Sequence, residues 1–472
     1  MSAENFDLVI VGATPGGIMT AVEAARMGKS SVILERTGHI GGLPANGLGA
    51  TDIATRGATT GLFSEFTEAI KQYYIDTYGE NSQQVKDCSD GFHFEPSVAE
   101  KIFGDMIAAE GAWIDVRIMR QFNFSTGDIT MTDGGRRIST IREDNRPTAE
   151  DEHYEGRIFV DATYEGDLGA AARVPFRIGR EAAWEFNEPG AGRTYEYWKS
   201  APAEGSTGEA DNAVQAYNYR LCLTRDTTQL IPFYKPERYD RSEYESLVED
   251  VWTGRHTWKA MRDVTPEMME RNRRHLLDGG ERSITPWDSW GIEKLVTVNT
   301  EPNGKTDANN QHAAFISTDL PEENWPWPTA SWEWRDRFAR RLRDYTLGLF
   351  WFAATDTALP PQFCREIRRW GLSAQEYKDN GNFPRQVYVR EGRRFEGMYF
   401  FTAKDALPVT EGGRPPVHST SITASHYALD SHAARKRESG RVHLDGFIIY
   451  PTAVYTVPYG VIVPKEVENL LL

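Results

Sequence analysis

Short apolar runs alternate with polar turns along this chain and sort into strands and helices almost from its first residues. Leu8 to Val11 is a compact apolar run suited to a buried parallel strand, and after an intervening helix a second such run ends on the acid Glu35. Pro96 to Ala109 carries Val98, Ile102 and Met106 at a spacing of four, which predicts a helix with one buried stripe. Trp113 to Arg117 predicts a strand. From Phe122 to Glu155, strand-like runs alternate with turn residues such as DGGR at Asp133 to Arg136, which predicts a three-stranded meander. Between its last strands, EDNRPTAEDEH reads as a polar surface turn. Arg157 to Val160 is a further apolar strand. Ser331 to Ala353 predicts an apolar-rich helix, and LPEENWPWP at Leu320 to Pro328 a loop. The runs HLDGFIIY and TAVYTVPYGVIV alternate like strands and are expected to return the chain to its first domain. No repeat or low-complexity tract is present.

Between the first two strands stands GATPGGI, in which Gly12 permits a tight turn and Gly16 and Gly17 open the helix. Without side chains there, a pyrophosphate can approach the free N–H groups and positive dipole of the helix's first turn. Glu35 ends the next strand about 20 residues on, where a carboxylate can accept hydrogen bonds from ribose hydroxyls. The middle glycine of the G-x-G-x-x-G pattern is replaced by Thr14, followed by Pro15. A second glycine loop, RTGHIGGLPANGLGATD, runs from Arg36 to Asp52. It suits backbone lying along a ligand longer than a nicotinamide dinucleotide, as a flavin is.

The third element is DATYEGDLGAAA, Asp161 to Ala172. With these three motifs the chain resembles the FAD-dependent oxidoreductases of the broad glutathione-reductase and fumarate-reductase superfamily. FEPSVAE (Phe94 to Glu100), NYRLCLT (Asn218 to Thr224), PNGKTDANN (Pro302 to Asn310) and FPRQVYVREGRR (Phe383 to Arg394) extend the resemblance over nearly the whole chain. It implies an α/β fold: a Rossmann-like FAD-binding domain, made of a parallel sheet plus a β-meander, with an inserted mixed α+β substrate domain. It implies FAD held by Gly12, Thr14, Pro15, Gly16 and Gly17 at the pyrophosphate and by Glu35 and Arg36 at the adenosine ribose. Gly41, Gly42 and Leu43 are then expected near the ribityl chain and ring, with Ala162, Thr163, Tyr164 and Asp167 closing over the cofactor. In the superfamily a loop and a flavin-facing helix follow the last strand. The sequence stops at VENLLL (Val467 to Leu472), so this helix is expected to be absent, with consequences for affinity and redox tuning.

The 472 residues are too many for one compact core. The expected divisions are 1–182 for the FAD-binding domain, 183–400 for the substrate domain and 401–472 for the return. A net charge of -16 excludes a nucleic-acid partner, because a phosphate backbone requires a basic footprint. The apolar runs fall short of membrane-spanning length, and the first strand begins too early to leave room for a signal peptide. A cytoplasmic enzyme acting on a small molecule is therefore expected, its oligomeric state unspecified. Cys88, Cys222 and Cys364 are scattered and lack C-x-x-C spacing, which predicts reduced thiols, Cys222 as core filler, and weighs against a disulfide reductase.

Catalytic candidates come from FPRQVYVREGRR. On a strand, Tyr388, Arg390 and Gly392 share a face and present a phenol and cations to an anionic substrate or reduced flavin. Tyr388, Arg390 and Arg394 are the expected catalytic residues, with Arg385 and Arg393 nearby; the competing use of these arginines is an ion-pair network in an acidic protein. In PNGKTDANN, Lys305, Asp307, Asn309 and Asn310 read as a polar turn more readily than as a substrate contact. Trp325, Trp327, Trp332, Trp334 and Trp351 suit a packed helical core better than an aromatic substrate wall. His39 is a conceivable covalent flavin anchor but fits an ordinary loop residue better, as do His93 and His312. No histidine pair has metal-ligand spacing, and no metal is expected. The expected function is hydride transfer to or from flavin N5 on a small organic substrate. The alternative is a non-redox isomerase, cyclase or lyase, or a cofactor-deficient protein on the same fold.

Overall fold

The computed structural model describes residues 3–196, 201–254, 291–312, 314–410 and 412–472, together with 267, 270, 273, 274 and 277. The chain forms two compact units. The first comprises residues up to Ile178 with Glu391–Tyr427 and Pro451–Leu472, and the second Gly179–Arg390 with Ala428–Tyr450. The divisions fall at 178 and 390 where 182 and 400 are expected from the sequence, and residues 428–450 lie with the second unit.

In the first unit, β1 (Glu4–Val11), β2 (Ser31–Glu35) and β3 (Ile114–Ile118) run parallel, and β1 also pairs in parallel with β7 (Glu150–Asp161). The short β19 (Leu470–Leu471) adds to the other side of β7, giving the parallel order β3-β2-β1-β7-β19 of a dinucleotide-binding sheet. Both faces are buried, and residues alternate between them. Ile10 and Ile33 pack with Ile18 and Val22 of helix α1 (Pro15–Arg26), Phe66 and Ile70 of α2 (Gly61–Tyr78), and Val98 and Ile102 of α3 (Pro96–Ala109). Val9, Val11, Val32 and Leu34 face the opposite core with Phe122, Ile141, Tyr154 and Phe159. This two-sided burial explains why β1 and β2 read as continuous apolar runs.

The meander is β5 (Ile129–Thr132), β6 (Arg137–Asn145) and the first half of β7, with β4 (Arg120–Gln121) on its edge. EDNRPTAEDEH, expected as a polar surface turn, is instead mostly strand. The ladder continues through Glu143↔Glu152 and Asp144↔Asp151 to Asn145↔Glu150, leaving 146–149 as the turn. Cross-strand partners support the charged residues: Arg142 reaches Asp151 at 3.0 Å, Asn145 donates to Glu152 at 2.7 Å, and Arg120 pairs with Glu152 at 2.8 Å. Likewise Trp113 ends a 3-10 turn, and the strand begins at Ile114. The unit is completed by β8 (Phe176–Arg177) paired with β14 (Arg394–Phe395), and by β15 (Ser421–Ser425) paired with β18 (Tyr455–Pro458).

The second unit holds an antiparallel sheet in the order β10 (Leu230–Pro232), β13 (Gly371–Ser373), β9 (Leu221–Thr224), β12 (Lys305–Asn310) and β11 (Val296–Glu301). A separate pair joins β16 (Leu429–Ser431) to β17 (Ile448–Tyr450), so HLDGFIIY lies with this unit. PNGKTDANN is a turn only at Pro302–Gly304; its remainder is the buried strand β12. Its charges tolerate burial because each is paired, Lys305 with Glu376 at 2.6 Å and Asp307 with the Arg220 guanidinium.

The tryptophan-rich segment forms a 24-residue helix, which we call α5 (Trp332–Thr355). Ser331 caps it by accepting from Trp334 N–H. Trp327 packs edge-on against Tyr217 and Phe338, and Trp334 stacks on Phe338. Cys88, Cys222 and Cys364 are buried and form no disulfide. Among the described residues, no helix is long and apolar enough to cross a membrane.

Candidate functional site

Three glycine-bearing segments, distant in sequence, meet in the first unit at the carboxyl ends of β1, β2 and β7. Gly12 turns the chain out of β1 with φ +101°. Thr14 caps α1: its hydroxyl donates to Ala162 O at 2.7 Å and accepts from Gly17 N–H at 3.4 Å. Pro15 occupies the first helical position, where its missing N–H costs nothing. The residue that replaced the middle glycine is therefore a helix cap that also ties the first motif to the third.

The two remaining glycines differ in purpose. A Cβ on Gly17 would stand 2.2 Å from Gly12 O, so Gly17 is required for the helix to approach the strand. A Cβ on Gly16 would meet nothing nearer than Thr14 Oγ1 at 3.8 Å. Gly16 thus borders open space at the amino end of a 12-residue helix, a cradle that fits a pyrophosphate.

The second loop is bound to the same place. Gly41 N–H donates to Ala13 O at 2.8 Å, and Leu43 N–H donates to Tyr164 Oη at 2.9 Å. Gly42 has no room for a Cβ, which would lie 2.5 Å from that same hydroxyl. Leu43 is buried and opens a 3-10 turn over Pro44–Asn46. Glu35 accepts from Ala13 N–H at 3.0 Å and from Thr37 N–H and Oγ1 at 2.8 Å each. A carboxylate offers about four acceptor sites, so these three donors leave room for a ribose hydroxyl. Arg36 donates to Gln121 at 3.0 Å.

Thr163 and Asp167 serve loop order. Asp161 accepts from Thr163 N–H at 3.1 Å, Thr163 Oγ1 at 2.7 Å and Gly169 N–H at 2.9 Å, while burial pushes its carboxyl above the usual range. Asp167 begins the short helix α4 (Asp167–Ala171) and forms a buried ion pair with Arg393 at 2.7 Å. Asp161 lies inside the quoted motif, but its role was not apparent without the loop geometry. His39 contacts Glu100 at 2.8 Å.

The expected catalytic residues do not lie on one strand. Segment 385–393 has no regular strand, and Tyr388 makes an isolated bridge to Asn218. The i, i+2 relation survives, since the Arg390 guanidinium lies 4.7 Å from the centroid of the Tyr388 ring. Both belong to the second unit. Arg394 lies in the first unit, on β14, and pairs with Glu391 at 2.5 Å. Arg385 pairs with Asp379. Each of these arginines has a carboxylate partner, which is the ion-pair network weighed against the catalytic use.

Arg390 leads to Asn310, which the sequence offered as a lesser candidate, and to Asp319 and His432, which it did not. It contacts Ala216 O, Asp319 at 2.8 Å and Asn310 Oδ1 at 3.0 Å. Asp319 and Asn310 line a cavity of about 380 Å³ within the second unit, with His312, His432, Tyr345, Phe315 and Phe447 among its walls. His432 Nδ1 lies 2.9 Å from Asp319 Oδ2. Burial opposes the charge on Asp319, yet Arg390 and His432 hold it below the usual carboxylate range. His312 stacks near Phe447, and burial followed by the neighbouring His432 pushes its imidazole below the ordinary range. Asp319 and His432 are 113 positions apart and share no motif.

No curated protein matches the chain. Among solved structures it is similar to AlpK at 20% identity, over 38% of this chain and 35% of that one, with a TM-score of 0.26. It is similar to the OxyS anhydrotetracycline hydroxylase from Streptomyces rimosus at 15%, over 38% and 36%, with a TM-score of 0.27. A third is the myxobacterial chondrochloren halogenase CndH at 17%, over 41% of each chain, with a TM-score of 0.26. The chain thus covers well under half the length of each of these structures, and at these scores the likenesses add nothing to the family assignment. The family described as FAD dependent oxidoreductase matches residues 7–472, and to that family the chain belongs.

Proposed function

We propose that this protein is an FAD-dependent oxidoreductase acting on a small organic substrate. The observation that carries the reading is the open cradle over Gly16, to which the second glycine loop and the Ala162–Tyr164 segment are both tied by hydrogen bonds. In it, the amino end of α1 would hold the pyrophosphate, Glu35 would accept from a ribose hydroxyl, and Gly41 to Leu43 would hold the remainder of the cofactor. When bound, FAD supplies two-electron chemistry by hydride transfer at N5. The protein's contribution is to bind and orient the cofactor and the substrate and to exclude water. A cytoplasmic location suits three buried cysteines that form no disulfide.

The test is a visible absorbance spectrum of the purified chain, with mass spectrometry of whatever heat denaturation releases. FAD at about one per chain is expected, released on denaturation because His39 is occupied with Glu100. A colourless protein that also refuses added FAD would sink the reading and turn attention to non-redox chemistry on this fold.

A further inference from the structure

We propose that the cavity of the second unit binds a neutral ring compound bearing a hydroxyl group, and that His432 Nε2 accepts the hydroxyl proton. The proposal goes beyond the flavin reading, since the cavity is built wholly within the second unit.

Every charged side chain lining the cavity already has a counterion. Asp319 is held by Arg390, Arg435 by Asp211 and Asp445, Lys436 by Glu323, Arg437 by Asp250, and Glu243 by Arg341. A carboxylate or phosphate ligand would have to compete for cations that are already paired, whereas a neutral ligand disturbs none of them. The apolar walls are aromatic: Phe315, Phe447 and Tyr345, with the His312 ring stacked near Phe447. A volume of about 380 Å³ falls in the range of about 300–1,000 Å³ typical of small-molecule pockets.

The polar end is equally defined. The His432 side chain is 10% exposed and lines the cavity, with Nδ1 committed to Asp319. In the neutral imidazole that contact makes Nδ1 the donor and leaves Nε2 as an acceptor. Nε2 has no hydrogen-bond partner among the described residues, so a ligand hydroxyl is the donor that would complete it. Proton transfer then breaks the O–H bond and forms Nε2–H, and the resulting imidazolium is stabilised by the adjacent Asp319 carboxylate. Arg390 lines no part of the cavity. It acts through Asp319 and Asn310 and is a positioning residue.

The test uses the holoenzyme, with its own spectrum as blank, and 4-nitrophenol, which is colourless when neutral and yellow when ionised. Calorimetry should find one molecule bound per chain. Below the probe's own pKa the bound molecule should carry the colour of the ionised form. 4-Nitroanisole, which lacks the O–H but keeps the ring, should bind at least tenfold more weakly. The variant His432→Gln should abolish the colour and weaken 4-nitrophenol about tenfold. No binding of 4-nitrophenol, equal binding of the anisole, or colour that persists in His432→Gln would each overturn the proposal. The anisole comparison needs no variant and stands even where His432→Gln fails to fold. FAD content is read separately on the same sample, so failure of the flavin reading and failure of this one are distinct results.

Discussion

Gly16 lies in the first turn of α1 with open space where a side chain would begin, so a substitution there perturbs the ligand before it perturbs the fold. Gly16→Asp sets a carboxylate where a pyrophosphate would sit. FAD affinity should fall by at least roughly 100-fold, or about 2.7 kcal/mol. An acid in the first turn favours the helix by about 0.3–1 kcal/mol, so the apo protein should melt no earlier than wild type. Equilibrium dialysis with FAD and a thermal melt separate the two effects, and retained FAD affinity would remove Gly16 from the pyrophosphate site. The arginines offer a second contrast. Arg390 is 4% exposed and its loss leaves Asp319 buried without its cation, whereas Arg394 is 32% exposed and pairs with Glu391 three residues away. Arg390→Ala should therefore lose about 3–5 kcal/mol in urea unfolding and Arg394→Ala about 0–1 kcal/mol. Equal losses would contradict this assignment of burial.

At the level of elements, the second glycine loop is held to the third segment by the Leu43 N–H to Tyr164 Oη bond. Tyr164→Phe keeps the ring beside Gly42 but removes that acceptor, at a cost of about 1 kcal/mol. FAD should bind roughly fivefold more weakly, as read by fluorescence titration. Unchanged FAD affinity would make this tie independent of the cofactor. Elements whose partners lie close in sequence, or whose faces are apolar, were legible: β1, α1, β2, the Pro96–Ala109 helix and the long α5. Those that carry buried charge were not. KTDANN reads as a turn because Lys305 and Asp307 are polar, yet they are satisfied by Glu376 and Arg220, 71 and 87 positions away. Glu152 looks like a turn residue until Arg120 and Asn145 are seen beside it. The cofactor segments could be read because their backbone demands glycine locally. The His432–Asp319 pair could not, because nothing local to either residue requires the other.

For the whole molecule, the acidic balance of -16 makes pH the natural probe of stability, and one carboxyl gives it a distinct sign. Glu143 on β6 is fully buried, and neither of its carboxyl oxygens has a hydrogen-bond partner among the described residues. Burial, then the neighbouring Asp144, Asp128, Glu152 and Glu35, push its pKa well above 4.5, so the native state retains a proton that the unfolded chain releases. A raised native pKa contributes stability that is fully present below the unfolded value of 4.5 and is lost as the pH rises through the native value. Within that window the loss amounts to about 1.4 kcal/mol per pH unit for this group. Glu143→Gln has no proton to lose. Its melting temperature should differ from wild type by a constant amount below pH 4.5 and gain on wild type steadily above it. Melting curves of the two proteins across the acid-to-neutral range, at fixed ionic strength and with FAD saturating or absent in both, measure that divergence. Parallel curves throughout would mean that Glu143 ionises in the native state as easily as in the unfolded chain, and that the meander supplies it with solvent or a cation.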